Sequence, residues 1–406
     1  MPLIQPFAGL RPATGRAGDV IAPPYDVLDS AEARARAQGR PWSFLHISRA
    51  EIDLPEGTDP HDPAVYQQAA ANLQGMLDAG VLQRDDRPCY YVYRLVMGGH
   101  RQTGLVAAAS VSDYDSNRIR KHEFTRPDKE DDRVRQIEAL DAQTGPVLLA
   151  YRSRAEVDAL LESVTATEPD CELVADDGIG HSLWVVRDAR QVDTISAAFD
   201  AMDALYIADG HHRSAAASRV AAERAAGSHA AGYFLAVIFP HNQMQILDYN
   251  RVIRDLNGMT PEVYLAGLVE RFSVTPVDSA CHPQRPGEFG MYLGGQWYRL
   301  DIHPERVPDD PVGRLDVSLL AENLLEPLLG ITDPRRDRRI DFVGGIRGLA
   351  ELERRVDSGG MQVAFALYPT RMEDLMAVAD AGSVMPPKST WFEPKLADGL
   401  VSHMLD

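Results

Sequence analysis

The sequence is poor in cysteine. Its 406 residues include three cysteines, at positions 89, 171 and 281, and none of them forms a Cys-x-x-Cys pair. A sparse, odd set suits a reducing compartment better than a disulfide framework, and the missing pairs argue against a zinc ribbon. We therefore expect a cytoplasmic protein that folds without a disulfide or a structural metal.

Long apolar runs and excess positive charge are also missing. No uninterrupted apolar stretch is long enough to cross a bilayer, and the start lacks the charged-then-apolar layout of a secretory signal. The net charge is −19, from 41 basic and 60 acidic residues. Such a surface repels polyanions, so we expect neither a nucleic-acid partner nor a membrane partner.

Several familiar enzyme motifs are absent from the chain. It has no GxxxxGK[ST] P-loop, no strand-linked GxGxxG, no HExxH and no GxSxG. If the protein binds a nucleotide, it must bind the phosphates with a different type of loop.

What remains is an ordinary globular composition, 45% hydrophobic and 25% charged. Strand and helix patterns alternate along the chain, which predicts an α/β or α+β fold. We divide it into an N-terminal α+β region (1–112), a core (113–256) and a C-terminal α+β region (257–406). Helices are predicted at 63–79, 127–140, 192–202, 214–226, 317–329, 348–356 and 372–379. Strands are predicted at 89–96, 102–111, 183–186, 205–208, 234–239 and 363–367.

The strongest local signal is the sequence DGHHR at residues 209–213. A predicted strand ends there, a glycine permits a tight turn, and an alanine-rich helix begins. The first turn of a helix leaves backbone N–H groups unpaired and carries partial positive charge, and an arginine adds a planar donor fork. The segment therefore predicts an anion site formed by Asp209, Gly210, His211, His212 and Arg213.

Two other interpretations of this segment remain open. It could be an ordinary strand–turn–helix connection with surface histidines. The paired histidines also hint at zinc, but neighbouring residues on a helix point in different directions and no third ligand is evident. We assign no metal ligand with certainty.

A second segment, KHEFTRPDKEDDR at residues 121–133, combines a carboxylate with charged neighbours. A hydroxyl attacks phosphorus better when a positioned base accepts its proton, so the chemistry requires a carboxylate such as Glu123. His122 and Thr125 are further candidates for contacts with substrate or metal. The alternative is a solvated charge cluster that leads into a helix.

A third segment, MPPKSTWFEPK at residues 385–395, is kept extended by its prolines. Lys388, Ser389 and Thr390 are candidates for phosphate binding, and the aromatic residues after them for base stacking. The alternative is an ordered loop whose aromatic side chains pack in the core. Asp341, after a run of arginines, is a candidate for magnesium or a substrate amine, or simply a turn residue.

Several segments together resemble a widespread bacterial and archaeal family known as a domain of unknown function. They are APPYDV at 22–27, SFLH at 43–46, QTGL at 102–105, KHEFTRP at 121–127, QTGP at 143–146, IDFVGG at 340–345 and PPKSTWFEPK at 386–395. The chain is identified as a member of this family over nearly its whole length. The DGHHR turn itself resembles the ParB/sulfiredoxin-like superfamily, and within it the free serine kinases SerK and SbnI.

The resemblance implies a ParB/sulfiredoxin-like core and a function. The free serine kinases phosphorylate L-serine with ADP or ATP, and they carry a His-Glu pair upstream of the turn, matched here by His122 and Glu123. The implied protein is a nucleotide-dependent kinase that acts with Mg²⁺ on free serine or a similar small hydroxyl acceptor.

The implied roles are specific. Glu123 is the base, Asp209 orients the acceptor or metal, and His212 and Arg213 neutralise the phosphoryl group together with backbone N–H groups. We expect a small-molecule substrate and allow for a homodimer. The alternatives are a non-catalytic nucleotide-binding regulator and a phosphohydrolase with water as acceptor.

Overall fold

The computed structural model describes residues 1–224 and 228–406. These residues form two compact units. The first comprises Met1–Met244 and Pro394–Asp406, and the second comprises Gln245–Glu393. The chain therefore leaves the first unit once and returns to it for its last thirteen residues. The first two predicted regions share the first unit up to Met244, and the three-part division stays a prediction.

The first unit is built on a mixed sheet that has nine strands in its described part. In spatial order the strands are Ile119–Arg120, Leu205–Asp209, Val147–Tyr151, Tyr233–Pro240, His100–Ser110, Tyr90–Met97, Gly180–Val186 and Cys171–Val174, with Ile4–Gln5 paired to His100–Ser110. Leu205–Asp209 runs parallel to Ile119–Arg120 and antiparallel to Val147–Tyr151. The segment that leads to Glu123 and the strand that leads to Asp209 are therefore neighbours that point the same way.

Helices cover this sheet and extend it. They are Ala17–Val20, Ser30–Ala37, Leu45–Ser48, Pro63–Asp78, Val111–Asp115, Pro127–Leu140, Ala155–Thr165, Ala189–Asp200 and His211–Arg224. Short 3-10 turns lie at Tyr25–Val27, Ala50–Asp53, Ala230–Gly232 and His241–Gln243. The central strand Tyr233–Pro240 is apolar and buried at every residue, because both faces of the sheet are packed there.

Two small ladders tie the chain ends of the first unit together. Leu10–Pro12 pairs with Leu82–Arg84, and His403–Met404 pairs with Ala142–Gln143. Ser402 and Leu10 exchange backbone hydrogen bonds of 2.7 and 2.9 Å, and Asp398 does the same with Ala22 at 2.9 and 3.1 Å. The C-terminal segment is therefore held in the first unit by backbone pairing at several points.

The second unit is an antiparallel sheet with helices against it. Its strand order is Phe272–Val277, Gln296–Ile302, Glu288–Leu293, Val363–Leu367, Tyr249–Ile253 and Ile340–Gly344. A separate two-stranded ladder joins Gln245–Leu247 to Trp391–Glu393. The helices are Pro261–Leu268, Asp316–Leu320, Leu349–Asp357 and Met372–Asp380, with shorter turns at Pro304–Arg306 and Gly345–Arg347.

The predicted α/β class is confirmed, and most predicted elements lie within three residues of their observed bounds. The helix predicted at 214–226 begins earlier, at His211, and its last two predicted residues lie outside the described residues. In those described, no helix is both long and apolar enough to cross a membrane.

The prediction of one continuous α-helix over 317–329 is wrong. The α-helix ends at Leu320 and continues as a π-helical turn, Ala321–Leu325. The Asn323 side chain donates to the Leu319 carbonyl at 2.9 Å, and the Glu326 N–H reaches back five residues to Ala321. A side chain that competes for a helical carbonyl shifts the ladder in this way, and periodicity alone does not reveal it.

Candidate functional site

The DGHHR segment forms a sharp strand–turn–helix. The strand Leu205–Asp209 ends at the turn, and the helix His211–Arg224 begins one residue later. Gly210 has φ +100°, and a Cβ there would lie 3.1 Å from Nε of Arg213 and 3.3 Å from Cα of Val147. Glycine is needed for both the backbone conformation and the close approach. The predicted turn is thus present, with the first turn of a fourteen-residue helix at its end.

Arg213 folds back beneath the turn. Its side chain is 11% exposed, donates through Nη1 to the Pro146 carbonyl, and places Nη2 3.6 Å from Oδ2 of Asp209. Burial lowers the pKa of Arg213, but the nearby carboxylates Asp209 and Asp26 outweigh burial and raise it above its ordinary value. The turn therefore contains a fixed, permanently charged guanidinium.

Asp209 lies between two cations. Oδ2 is 3.6 Å from Arg213 and 3.9 Å from Nζ of Lys395, in the returning C-terminal segment. Burial raises the pKa of this carboxyl, but Arg213 and Lys395 more than compensate, so the pKa lies below its ordinary value. Asp209 is therefore ionised at neutral pH and aligns two cations at the end of the strand.

Two buried histidines support the turn from below. The rings of His122 and His211 meet edge to face at 4.5 Å, and their residues are 3% and 4% exposed. Burial lowers the pKa of His122 to about 4 and that of His211 well below its ordinary value, so both are neutral at pH 7. Nε2 of His211 accepts the backbone N–H of His122 at 3.4 Å, which leaves the ring proton on Nδ1.

Glu123 lies at the open side of this pair. Its Oε2 is 3.6 Å from Nδ1 of His211, and its side chain is 55% exposed. In this tautomer the Nδ1–H of His211 faces the carboxylate of Glu123, so a neutral, buried donor lies near an exposed acceptor. The structure thus brings together five predicted site residues: His122, Glu123, Asp209, His211 and Arg213.

His212 connects the helix that follows the turn to the loop before residue 127. It is half-buried, and its Nε2 accepts the backbone N–H of Arg126 at 3.1 Å, which ties the helix to the loop that contains Thr125. Burial lowers the pKa of His212, so the ring is neutral and its proton sits on Nδ1. His212 can therefore donate one hydrogen bond besides holding the loop.

A cavity lies on the inner side of Arg213. The space inside it that is open to a water-sized group is about 30 Å³, which is enough for one small polar group. The lining draws on distant parts of the first unit: Tyr25, Ser48, Arg133, Gln136, Ile137, 142–145, Val147, Arg213, Phe234, Leu235 and Asp398. Arg133 covers the Tyr25 ring at 3.9 Å and donates to Oδ2 of Asp132 at 2.6 and 2.9 Å.

The remaining predicted site residues lie in the second unit. Lys388 is exposed with φ +59°, its carbonyl accepts from Arg251 at 2.9 Å, and its Nζ lies 5.6 Å from the Tyr249 ring centre. Ser389 is buried and its hydroxyl donates to the Pro386 carbonyl at 2.5 Å.

Thr390, next to Ser389, is half-buried. Asp341 is ion-paired with Arg355 at 2.5 Å. The roles assigned to these second-unit residues stay predictions.

Sequence reasoning missed four residues that the structure places around the turn: Tyr25, Arg133, Lys395 and Asp398. Three of them belong to motifs or segments that the sequence analysis had quoted, but a motif does not indicate which of its side chains face the same point. Asp398 lies in an unremarkable stretch, LADGL, and only its burial and contacts single it out.

The described residues contain no cluster of three or more His, Cys, Asp or Glu arranged to hold a metal. This does not conflict with Mg²⁺ bound as a nucleotide complex, since that ion usually takes one or two protein carboxylates and completes its shell with phosphates and water. The partly exposed carboxylate of Asp209 fits that requirement.

Comparisons with known proteins place these features in context. A search of curated proteins finds no match. Among solved structures, a free serine kinase variant in complex with ADP is 15% identical with a TM-score of 0.35, and the alignment covers 73% of this chain and 92% of that one. C-terminally truncated SbnI from Staphylococcus aureus is 12% identical with a TM-score of 0.37, over 72% and 85%.

A conserved hypothetical protein from Pyrococcus furiosus is 14% identical with a TM-score of 0.34, over 73% of this chain and 95% of that one. These low scores carry no argument about activity. The family comparison is decisive, because a model described as "Protein of unknown function (DUF1015)" matches residues 4–318. The predicted family is thereby confirmed: the chain belongs to DUF1015.

Proposed function

We propose that the protein is a small-molecule kinase that transfers a phosphoryl group from ATP or ADP to the hydroxyl of free serine or a similar small acceptor. The observation that carries the proposal is the exposed carboxylate of Glu123 beside the buried, neutral His211, next to a turn that concentrates cations. A base and an anion site side by side are what phosphoryl transfer to a hydroxyl requires.

Glu123 is suited to accept the hydroxyl proton. Its carboxylate reaches solvent, and the Nδ1–H of His211 faces it from 3.6 Å away. His122 and His211 are neutral at pH 7 and do not act as cations there, because burial keeps both pKa values low. The proton transfer is therefore assigned to Glu123, with the neutral His211 beside it.

The donor phosphates would bind at the turn. The backbone N–H groups after Gly210 begin a helix of fourteen residues, and Arg213 and Lys395 converge on the same side, on Asp209. Fixed donors and cations of this kind stabilise charge that spreads over phosphoryl oxygens. The Nδ1–H of His212 adds one donor, while Asp209 keeps the cations aligned and orients the acceptor. Mg²⁺ would neutralise phosphate charge when it binds with the nucleotide.

The direct test is a phosphate-transfer screen with the full-length protein. ATP and ADP, each with Mg²⁺, are incubated with L-serine, other hydroxyl amino acids and simple alcohols, and products are identified by ³¹P NMR. A phosphomonoester on an acceptor supports the proposal. Inorganic phosphate alone would identify a phosphohydrolase, and nucleotide binding by calorimetry without any product would identify a regulator.

A further inference from the structure

The cavity behind Arg213 contains a buried carboxyl group that the proposed phosphoryl transfer does not use. Asp398 is 2% exposed and lines the cavity, and its Oδ1 has no hydrogen-bond partner among the described residues. The hydroxyl of Ser48, in the same lining, is also buried and unpartnered. Buried polar atoms in folded proteins are normally paired, so two unpaired ones facing one cavity indicate a missing partner.

The neighbouring arginines do not supply that partner. Arg133 directs Nε and Nη2 at Asp132, and Arg213 donates to the Pro146 carbonyl and lies 3.6 Å from Asp209. Each guanidinium thus already has a carboxylate of its own. Asp398 is left with one backbone hydrogen bond, from the N–H of Tyr25.

The chemistry of the missing partner follows from these atoms. An unpaired carboxylate oxygen and a hydroxyl both accept hydrogen bonds, so the partner must donate at least two. A cation is favoured over a neutral donor because Asp398 accepts only the Tyr25 N–H, while Arg133 and Arg213 direct their donors elsewhere.

We propose that this cavity holds the primary ammonium group of the acceptor, bound by Asp398 and Ser48, so that the enzyme selects amino alcohols and hydroxyl amino acids over plain alcohols. The inference rests on the proposed function for its acceptor hydroxyl, but the binding step stands on the cavity alone. Asp398 is then a specificity residue supplied by the C-terminal segment that returns from the second unit.

The electrostatics of Asp398 agree with this assignment. Burial raises its pKa to about 7; Asp26 adds to the increase, while Arg213, Arg133 and the Tyr25 N–H oppose it. An ammonium group binds the ionised carboxylate, so amine affinity should increase as the pH rises from 6 to 8 and then level off. A neutral diol should show no such dependence.

The first experiment compares acceptors that differ in one group. L-serine is paired with L-glycerate, which has the same configuration, and ethanolamine with ethylene glycol, in calorimetry at pH 8 and in the transfer assay. Loss of a hydrogen bond to a charged group costs about 1.5–3 kcal/mol, which is about ten- to a hundredfold in affinity. We expect each amine to bind at least tenfold more tightly than its partner. Equal binding within both pairs would overturn the proposal.

The second experiment changes the cavity. Asp398→Asn keeps the shape but removes the charge, and should abolish the amine preference. Gly145→Ala offers an independent route, since its Cβ would lie 3.4 Å from Cδ of Arg213 and 3.8 Å from Oδ1 of Asp398, an ordinary contact that fills the space beside the carboxyl. Gly180→Ala, whose Cβ would meet Val96 at 3.5 Å, is the matched control in a strand of the main sheet.

The outcomes separate this inference from the proposed function. Amine binding that is lost in Asp398→Asn and Gly145→Ala, but kept in Gly180→Ala, supports the cavity assignment even if no acceptor is phosphorylated. Phosphate transfer that proceeds equally with serine and glycerate leaves the kinase proposal standing and refutes the amine site. If no amine binds the wild type at pH 8, the cavity contains only water and the inference fails.

Discussion

Two buried aspartates, one in each unit, look alike by most measures. Asp398 and Asp316 are 2% and 9% exposed, each has one carboxyl oxygen without a hydrogen-bond partner, and burial raises the pKa of each to about 7. Each also accepts at least one backbone N–H, from Tyr25 for Asp398 and from Gly287 for Asp316. Titration behaviour alone therefore does not distinguish them.

The surroundings of the two aspartates distinguish them. Asp398 faces a cavity that two guanidiniums line. Asp316 instead fixes a turn, because it accepts the N–H of Gly287 at 2.8 Å, and Gly287 has φ +81°. The charged neighbour that raises its pKa further is another carboxylate, Asp374, whose own charge is met by two hydrogen bonds of 2.8 Å from Arg371.

The comparison shows how a ligand-binding carboxyl can be recognised among buried carboxyls whose pKa values are raised. A raised pKa reports burial, and both a structural carboxyl and a binding carboxyl can be buried. What distinguishes Asp398 is the open space of a cavity on the side of its unpaired oxygen. The comparison predicts that changes around Asp398 alter ligand binding, whereas changes at Asp316 alter stability only.

The largest effect is expected at the base in the first unit. Glu123→Gln keeps the size of the side chain but cannot accept a proton, and positioned base catalysis contributes about a hundred- to ten-thousandfold. Turnover should decrease by that factor with nucleotide affinity nearly unchanged, as measured by initial rates and calorimetry on the same preparations.

Two controls accompany this change. Glu138→Gln alters an exposed glutamate on the helix Pro127–Leu140 that follows the Glu123 loop, and Asp316→Asn alters the comparison residue in the second unit. Both should retain wild-type turnover. If Glu123→Gln turns over at the wild-type rate with any acceptor that works, Glu123 is not the base and the charge-cluster interpretation of its segment is correct.

A smaller effect is expected at the phosphate cation. Arg213→Lys keeps the charge but loses the planar fork that donates to Pro146 and approaches Asp209. Nucleotide affinity should weaken by about tenfold, equivalent to roughly 1.4 kcal/mol. Arg219→Lys, on the same helix but paired with Asp131 at 2.7 Å near the surface, is the matched control. Normal nucleotide binding by Arg213→Lys would show that this arginine only holds the turn.

The local structure of the turn could be predicted from the sequence because its causes are local. A glycine between an apolar strand and an alanine-rich run dictates a strand–turn–helix, and the observed turn at Gly210 agrees. The helix Pro127–Leu140 and the hairpin at residues 98–99 were equally predictable, since proline at a helix start and paired glycines act within a few residues.

The composition of the site was not predictable in the same way. Asp398 and Lys395 approach Arg213 and Asp209 only because the chain returns from the second unit and pairs its backbone with Ala22 and Leu10. Nothing in the stretch LADGL specifies that return. The Ser389 hydroxyl donates to the Pro386 carbonyl, and the phosphate role of its segment stays a prediction.

The smallest effect concerns stability and pH. A carboxyl whose pKa is raised by folding, from its ordinary value near 4 to about 7, stabilises the fold fully below pH 4 and loses that contribution as the pH rises to 7. Asp398→Asn and Asp316→Asn should therefore each show a smaller decrease of Tm between pH 5 and 8 than the wild type. We expect Asp398→Asn to gain a few degrees at pH 8, since about 1 kcal/mol shifts Tm by roughly 2–4 °C in domains of this size. Asp316→Asn should gain less, because its carboxylate also holds the Gly287 turn. Thermal melts with serine well above the Kd that calorimetry gives for the wild type then distinguish the two variants. Serine should raise the Tm of wild type and of Asp316→Asn, and leave that of Asp398→Asn unmoved. If serine raised the Tm of Asp398→Asn and Asp316→Asn equally, Asp398 would not bind the amine and the two aspartates would not differ in function.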